Sequence, residues 1–274
     1  MTQGRQKVID SIAREALSIL GTGQQVTPFS WRHPGFSLPD AYKVVAVLCD
    51  MRRARGENPI GRKIGFTNRA VWGGHGISGP IWSYMFDSTV HDLAAGGGAF
   101  ALKGLPEPRV EPEILLHLAK APQAGMSEDH LSECIDWIAH GFEVVQSVFP
   151  GWAFAAADAA AAYGMHGALL LGDKHPIVWK STQWRDQLSS FGVELVRDDG
   201  LTRSGHARSV LGGPLKALGF LVEELARYPK SEPLRAGEIV TTGTLTEAMP
   251  IMVGQTWSTD LVGIDIRGLR MRLY

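Results

Sequence analysis

Cysteine is scarce: Cys49 and Cys134 are the only two in 274 residues. Two thiols cannot build a disulfide framework, and both lie in stretches that read as helices, where a thiol usually behaves as a small apolar side chain. A reducing cytoplasm is therefore the expected setting. Long apolar runs are missing as well. The opening MTQGRQKVIDSIAREALSIL is broken by Arg5, Lys7, Asp10, Arg14 and Glu15 and lacks the uninterrupted apolar core of a signal peptide. No stretch approaches the roughly 18 to 20 apolar residues that cross a bilayer, so no membrane contact is expected. Nor is either charge in excess. Lys and Arg number 27 against 28 Asp and Glu, which leaves no electrostatic footprint for nucleic acid and points to a small-molecule partner. The nine histidines form no HxxxH pair at ligand spacing, and no Ser-His-Asp or Cys-His arrangement is legible.

What the chain does have is turns and short apolar runs, with 32 Gly and 15 Pro. Ile9, Ile12, Ala16, Ile19 and Leu20 recur at helical spacing, so residues 5–20 read as an amphipathic helix, and 39–55 read as a second with Pro39 and Asp40 in its first turn. Beyond Gly61 the texture changes. GRKIGFT, EPEILLHLA, FEVVQSVF, GALLLG, GEIVTTGTL and GIDIRGLRMRLY look like strands, interrupted by helices over 127–139, 154–163 and 214–227. Strands outnumber helices without alternating with them, which is unlike a βα-repeat barrel or a doubly wound sheet. The pattern predicts a mixed, mostly β core with inserted helices: a helical region over 1–60 and a main body over 61–274.

RVEPEILLHLA carries the most chemistry. Alternate side chains of a strand share a face, so Glu111 and Glu113 project together with Leu115 and His117, while Val110, Ile114 and Leu116 face the other way. Two carboxylates roughly 7 Å apart on one face repel each other unless a cation lies between them. Hard oxygen ligands of this kind suit Mg²⁺ or Mn²⁺. Pro112 removes a ladder donor, which predicts an edge or an irregular stretch; a solvated edge strand would account for the same pair without any ion. Glu143 is the only charge in the apolar run GFEVVQSVF. Burying an unpaired carboxylate is costly, so it needs a partner, a metal or water. If its strand converges on the pair, three carboxylates form one site.

Taken together, GRKIGFT at 61–67, RVEPEI at 109–114, FEVVQS at 142–147, SGHARSVLGGPLKAL at 204–218 and GEIVTTGTLTEAMPIMVGQTW at 237–257 give a resemblance in order and spacing. The chain resembles the 2-oxopent-4-enoate hydratases and 4-oxalocrotonate decarboxylases of the fumarylacetoacetate hydrolase superfamily, over nearly its whole length. The resemblance implies an α+β fold with a mixed β-roll core and a small N-terminal helical region. It implies a divalent ion, Mg²⁺ or Mn²⁺, on Glu111, Glu113 and Glu143, Lys63 beside a small 2-oxo acid substrate, and a homo-oligomer. Departures are visible too. Ala162 and Tyr163 stand where relatives carry an Asp-Asn pair, although Asp158 fits an earlier Asp of that motif. Ser88 stands where a family Asp is expected, with Asp87 adjacent as a candidate acid or base. His206, Ala207 and Gly213 also depart from the fourth motif; His166 and Arg208 are further candidates for lining the pocket or meeting a second substrate carboxylate.

The expected reaction is hydration of a 2-hydroxy-2,4-dienoate to a 4-hydroxy-2-oxo acid in the catabolism of aromatic-derived compounds. Decarboxylation of a 4-oxalocrotonate-type acid and carbon–carbon bond hydrolysis are the alternatives, the last needing a His-Glu dyad for which SWRHPGF at 30–36 is the only hint. A non-catalytic homologue is the reading from a different class.

Overall fold

The computed structural model describes residues 3–177, 183–228 and 230–274. In chain order the helices are α1 (Gln3–Ile19), α2 (Phe29–Arg32), α3 (Leu38–Ala54), α4 (Trp72–His75), α5 (Glu128–Ser132), α6 (Ala156–Ala161), α7 (Gln183–Ser190) and α8 (Pro214–Arg227). The strands are β1 (Pro59–Gly65), β2 (Ile81–Phe86), β3 (Val90–Asp92), β4 (Ala99–Phe100), β5 (Arg109–Leu118), β6 (Ile135–Val145) and β7 (His166–Pro176), then β8 (Gly192–Arg197), β9 (Thr202–His206), β10 (Ile239–Thr241), β11 (Met249–Pro250), β12 (Thr256–Val262) and β13 (Arg270–Leu273). No helix among the described residues is long and apolar enough to cross a membrane.

Two mixed sheets form the core of this α+β fold. The larger runs β2-β1-β10-β5-β6-β7-β3, with β11 also on β5; the smaller runs β4-β13-β12-β8-β9. β1 with β10, β3 with β7 and β13 with β4 are parallel pairs. One face of the large sheet packs Val110, Phe142, Val144, Ala168 and Leu170 against Leu195, Trp257 and Met271 of the small one. Its other face carries Met85, Leu115, Ala139, Leu169 and Leu171, and Glu111, Glu113 and Lys63 by the same alternation.

The N-terminal helices are amphipathic as their spacing predicts. Ile9, Ile12, Ala13, Ala16 and Ile19 of α1 are buried, and α1, α3 and α6 share one apolar cluster with Trp82 and Tyr84 of β2. The helix expected over 127–139 is far shorter. Ser127 caps it by accepting from His130 N, but α5 ends at Ser132 and the chain enters β6 at Ile135. Pairing along the whole of β5 outweighs the local helical pattern. Cys134 accordingly lies in the turn between α5 and β6, not in a helix. Only Arg270–Leu273 of the expected C-terminal strand is extended in a sheet.

Pro112 does not mark an edge. β5 is central, flanked by β6 on one side and by β10 and β11 on the other. Pro112 O accepts from Leu245 N at 2.9 Å, so the missing N–H faces the same side, in the gap between β10 on Leu115–His117 and β11 on Arg109–Val110. No ladder bond is lost there, which is why a central strand tolerates it.

His140 joins the two sheets. Its Nδ1 lies 2.9 Å from Glu113 O and its Nε2 2.8 Å from Thr259 Oγ1, which in turn accepts from Leu269 N. Both ring nitrogens are satisfied only if Nδ1 carries the proton and Thr259 donates to Nε2. Burial pushes this imidazole from 6.5 down to about 4. Its neutral form therefore contributes stability that is complete above about pH 6.5 and lost as pH falls towards 4. The loss should be about 1.4 kcal/mol per pH unit and about 3 kcal/mol in all. Urea midpoints at pH 7.5, 6 and 5 check this, and His140→Gln should flatten the acid-side slope.

Candidate active site

The register of the large sheet assembles the acids. In the antiparallel pairing of β5 with β6, Glu111 sits directly across from Glu143, and Glu113 across from Gly141. A side chain at 141 would press on Leu115 Cδ1 at 2.7 Å and Leu170 O at 2.9 Å, so glycine leaves the space beside Glu113 open. Carboxylate oxygens of Glu111, Glu113 and Glu143 lie within 4.8 Å of one another. Glu113 and Glu143 are fully buried and Glu111 is half-buried.

Lys63 joins them from β1. Its Nζ is 3.2 Å from Glu143 Oε1, and the side chain is buried. Burial disfavours its charge, but Glu143, Glu111 and Glu113 outweigh that and hold the ammonium above its usual range. Burial and mutual repulsion act the other way on the acids. Glu113 is pushed well above the ordinary carboxylate range and Glu111 up to about 7. For Glu143 burial is overcome by Lys63 and His166, which bring it down to about 2.

Two buried oxygens are left over. Glu113 Oε2 accepts from Gly243 N at 2.7 Å, and Glu143 Oε1 meets both Lys63 and His166. Glu113 Oε1 and Glu143 Oε2 have no donor among the described residues beyond a proton the two carboxyls could share. Buried carboxylate oxygens are rarely left so, and three acids that converge with two unsatisfied oxygens fit a hard divalent cation. Gly243 makes the approach possible: with φ at 96° it places its backbone where a Cβ would meet Thr67 Oγ1 at 2.1 Å.

Glu111 faces a cavity of about 440 Å³ lined by Ile64, Phe66, Thr67, Asn68, Thr244 and Glu247, among others. The size suits a small organic acid. Ser204 and Ser209 of the SGHARS segment also line it. His206 and Arg208 do not; both are exposed, and His206 Nδ1 accepts from Arg208 N.

The structure does not bring Asp87 to the carboxylates. It is exposed, and its two oxygens accept from Asn58 N at 3.0 Å and Asn58 Nδ2 at 2.8 Å. Ser88 donates to Glu57 at 2.6 Å and accepts from the buried Arg52. Asp158 is buried and accepts from Ser30 N, Ser30 Oγ and Ala155 N. SWRHPGF is thus anchored to α6 by its serine, and none of its residues lines the cavity. His117, further along the acid face, stacks on Trp137 with its Nδ1 2.6 Å from Asp136.

No protein-family model matches the chain. It is 26% identical over 262 residues to the 2-hydroxyhexa-2,4-dienoate hydratase of Comamonas testosteroni, covering 94% of this chain and 96% of the relative. It is 27% identical over 260 residues to a 2-keto-4-pentenoate hydratase of Burkholderia vietnamiensis, covering 93% and 94%. The 4-oxalocrotonate decarboxylase of Pseudomonas putida G7, solved with magnesium and adipate, shares the fold over 100% of both chains with a TM-score of 0.88 and 23% identity. Over nearly its whole length the chain is thus similar to these hydratases, and it shares its fold with the decarboxylase.

The turn after α6 is unusual in its backbone. Ala162 and Tyr163 are buried. Tyr163, Gly164 and Met165 all have positive φ, at 59°, 60° and 64°, a costly run for two side-chain-bearing residues that recurs at functional sites. Tyr163 OH donates to Ala16 O of α1, and burial pushes the phenol above its usual range. Gly164 packs on the Lys63 stem: a Cβ there would lie 3.2 Å from Lys63 Cδ. His166, next in the chain, is buried and holds Glu143; burial pushes the imidazole below its usual range. The sequence offered it only as a pocket-lining candidate, because no spacing rule joins His166 to an acid 23 residues earlier.

Proposed function

We propose that the chain is a divalent-metal-dependent hydratase that converts a 2-hydroxy-2,4-dienoate of the 2-oxopent-4-enoate type to a 4-hydroxy-2-oxo acid, in catabolism of aromatic-derived compounds. The observation that carries the reading is the pair of unsatisfied, buried oxygens of Glu113 and Glu143 beside Lys63, with Glu111 opening from the same cluster onto the cavity. Hydratase relatives aligned over more than nine-tenths of the chain support the reaction type.

Glu111, Glu113 and Glu143 would hold the ion, Mg²⁺ or Mn²⁺. Once bound, it would supply Lewis-acid polarisation of the substrate's 2-oxo oxygen. The remaining work falls to the chain. Lys63, charged and buried, is placed to pair with the substrate carboxylate or to move a proton at Nζ. The apolar walls at Ile64, Phe66 and Leu245 exclude water around the carbon chain, and the hydroxyls of Thr67, Thr244 and Ser209 can orient the water that adds. Asp87 enters only as an acid–base group of lower rank, since its oxygens are taken by Asn58. The 1–60 helices buttress the site through Tyr163, while 61–274 carries it. A cytoplasmic homo-oligomer is part of the proposal, and exposed Met252, Val253 and Val262 offer apolar surface for self-association.

Decarboxylation is the second reading, favoured by the fold match to a decarboxylase. The cavity lining argues against it: with Lys63 set behind the lining on Glu143, the described lining residues include Glu111 and Glu247 and no Lys or Arg to meet a second carboxylate. A dicarboxylate would carry its second charge towards those acids. Purified protein with Mn²⁺ should therefore hydrate 2-hydroxypenta-2,4-dienoate, with a kcat/KM above that for 4-oxalocrotonate. Loss of dienoate absorbance and product analysis check this; CO₂ release from oxalocrotonate at the higher rate would reverse the assignment, and turnover of neither would leave a non-catalytic homologue.

A further inference from the structure

Among the described residues, His166 is the one buried titratable group touching the acid cluster that the proposed reaction does not use. Its Nδ1 lies 2.8 Å from Glu143 Oε1, and its Nε2 lies 3.0 Å from Thr89 Oγ1. Ordinary alternation along β7 would point it elsewhere. Glu143 pairs with Leu169, so Leu169 and Leu171 share the acid face, and unbroken alternation would put His166 on the opposite one. The register slips between Val144, paired with Ala168, and Val145, paired with His166. Gly167 is the extra residue of this bulge, and a Cβ there would meet Val144 O at 2.7 Å. Bulges re-aim side chains, and this one turns His166 back onto Glu143.

Facing a carboxylate oxygen, Nδ1–H donates to Oε1, while Nε2 rests against Thr89 Oγ1, whose hydroxyl also reaches Phe86 O at 3.1 Å. Thr89 Oγ1 in turn can accept from Phe86 N at 3.4 Å. Lys63 meets the same Oε1 at 3.2 Å. Two donors therefore pin one oxygen of Glu143 and leave Oε2 aimed into the acid cluster without a partner.

We infer that His166 is a positioning residue for the ion site: the Gly167 bulge and the contact with Thr89 fix its direction, and it holds Glu143 in the rotamer that presents Oε2 to the cation. This rests on the metal reading above. Partners that orient a ligating carboxylate typically account for about 10- to 100-fold in metal affinity.

The test is Mn²⁺ titration of the full chain, with free Mn²⁺ counted by electron paramagnetic resonance, alongside melting of the ion-free proteins. His166→Leu should raise the Mn²⁺ Kd by about 10- to 100-fold, while kcat recovers towards wild type at saturating Mn²⁺. His166→Asn, whose Nδ2 occupies the position of Nδ1, should restore the Kd to within a few fold. Thr89→Val, which keeps shape but removes the hydroxyl, should weaken binding by less than His166→Leu does. Wild-type Kd in His166→Leu overturns the inference and leaves the metal reading standing, as does equal weakening in His166→Leu and His166→Asn. Failure of the wild-type protein to bind Mn²⁺ overturns both. Should His166→Leu melt at a much lower temperature than wild type without ion, the Asn and Val variants decide alone.

Discussion

Glu113→Gln is expected to abolish divalent-ion binding and turnover while leaving the ion-free fold as stable as wild type, or more so. Glu113 Oε2 accepts from Gly243 N at 2.7 Å, and the amide oxygen of Gln can keep that bond. The Nε2 group then takes the place of Oε1, turning an unsatisfied acceptor into a pair of donors aimed at the cation. One of three crowded carboxylates is removed at the same time, and their mutual repulsion with it. Mn²⁺ at about 100 times its Kd should stabilise the wild type by about 2.7 kcal/mol, a rise of roughly 5 to 10 °C in Tm for a chain of this size. The variant should show no such rise. Differential scanning fluorimetry with and without Mn²⁺ reads both effects, and an undiminished ion-induced shift in Glu113→Gln would sink the three-carboxylate site.

The same site gives ion binding a pH dependence of definite sign. Without a cation, burial and its neighbours push Glu113 well above the ordinary carboxylate range, and burial takes Glu111 up to about 7. Ion binding must expel the protons these groups hold. Affinity should thus rise with pH through 7 and fall below it, as Mn²⁺ titrations at pH 6, 7 and 8 would read.

How much of this was legible beforehand depended on whether the cause was local. α1, α3 and α8 were, because their apolar stripes are written at helical spacing and buried as that spacing dictates. Strand alternation likewise placed Glu111 and Glu113 on one face. Register was not legible. Nothing in FEVVQS says that Glu143 pairs with Glu111 and not with a neighbour two residues away; the whole β5–β6 ladder sets that. Only the family resemblance joined the three acids in advance. Pro112 misled because the rule it invokes concerns a lost donor, and here the donor faces a gap between two short strands. Residues 133–139 misled for a related reason: a short apolar run is read as helix or strand by its partner, and its partner is ten residues of β5. His166 was hidden by a bulge, which reverses alternation at one residue.

Lys63→Met separates catalysis from ion binding. Met matches the stem in length and volume and fits the packed channel that Gly164 and Ser83 form around it, so the fold should tolerate the change. What is lost is the one ammonium near three acids among the described residues, 3.2 Å from Glu143 Oε1. Two consequences compete for the ion. Removing a positive charge lowers the repulsion a cation meets, while the carboxylates, no longer held ionised by Lys63, take up protons more readily. These oppose each other, so Mn²⁺ affinity near neutral pH should change by less than about tenfold, whereas loss of a proton-transferring group costs about 10²- to 10⁴-fold in rate. Lys63→Arg should not rescue, because a planar guanidinium needs width where the Gly164 backbone lies against the stem. Steady-state kinetics at saturating Mn²⁺, set beside the Mn²⁺ Kd, give the split directly. A fall in kcat with the ion still bound assigns Lys63 to the chemistry, and full activity in Lys63→Met would reduce it to a counter-ion for Glu143.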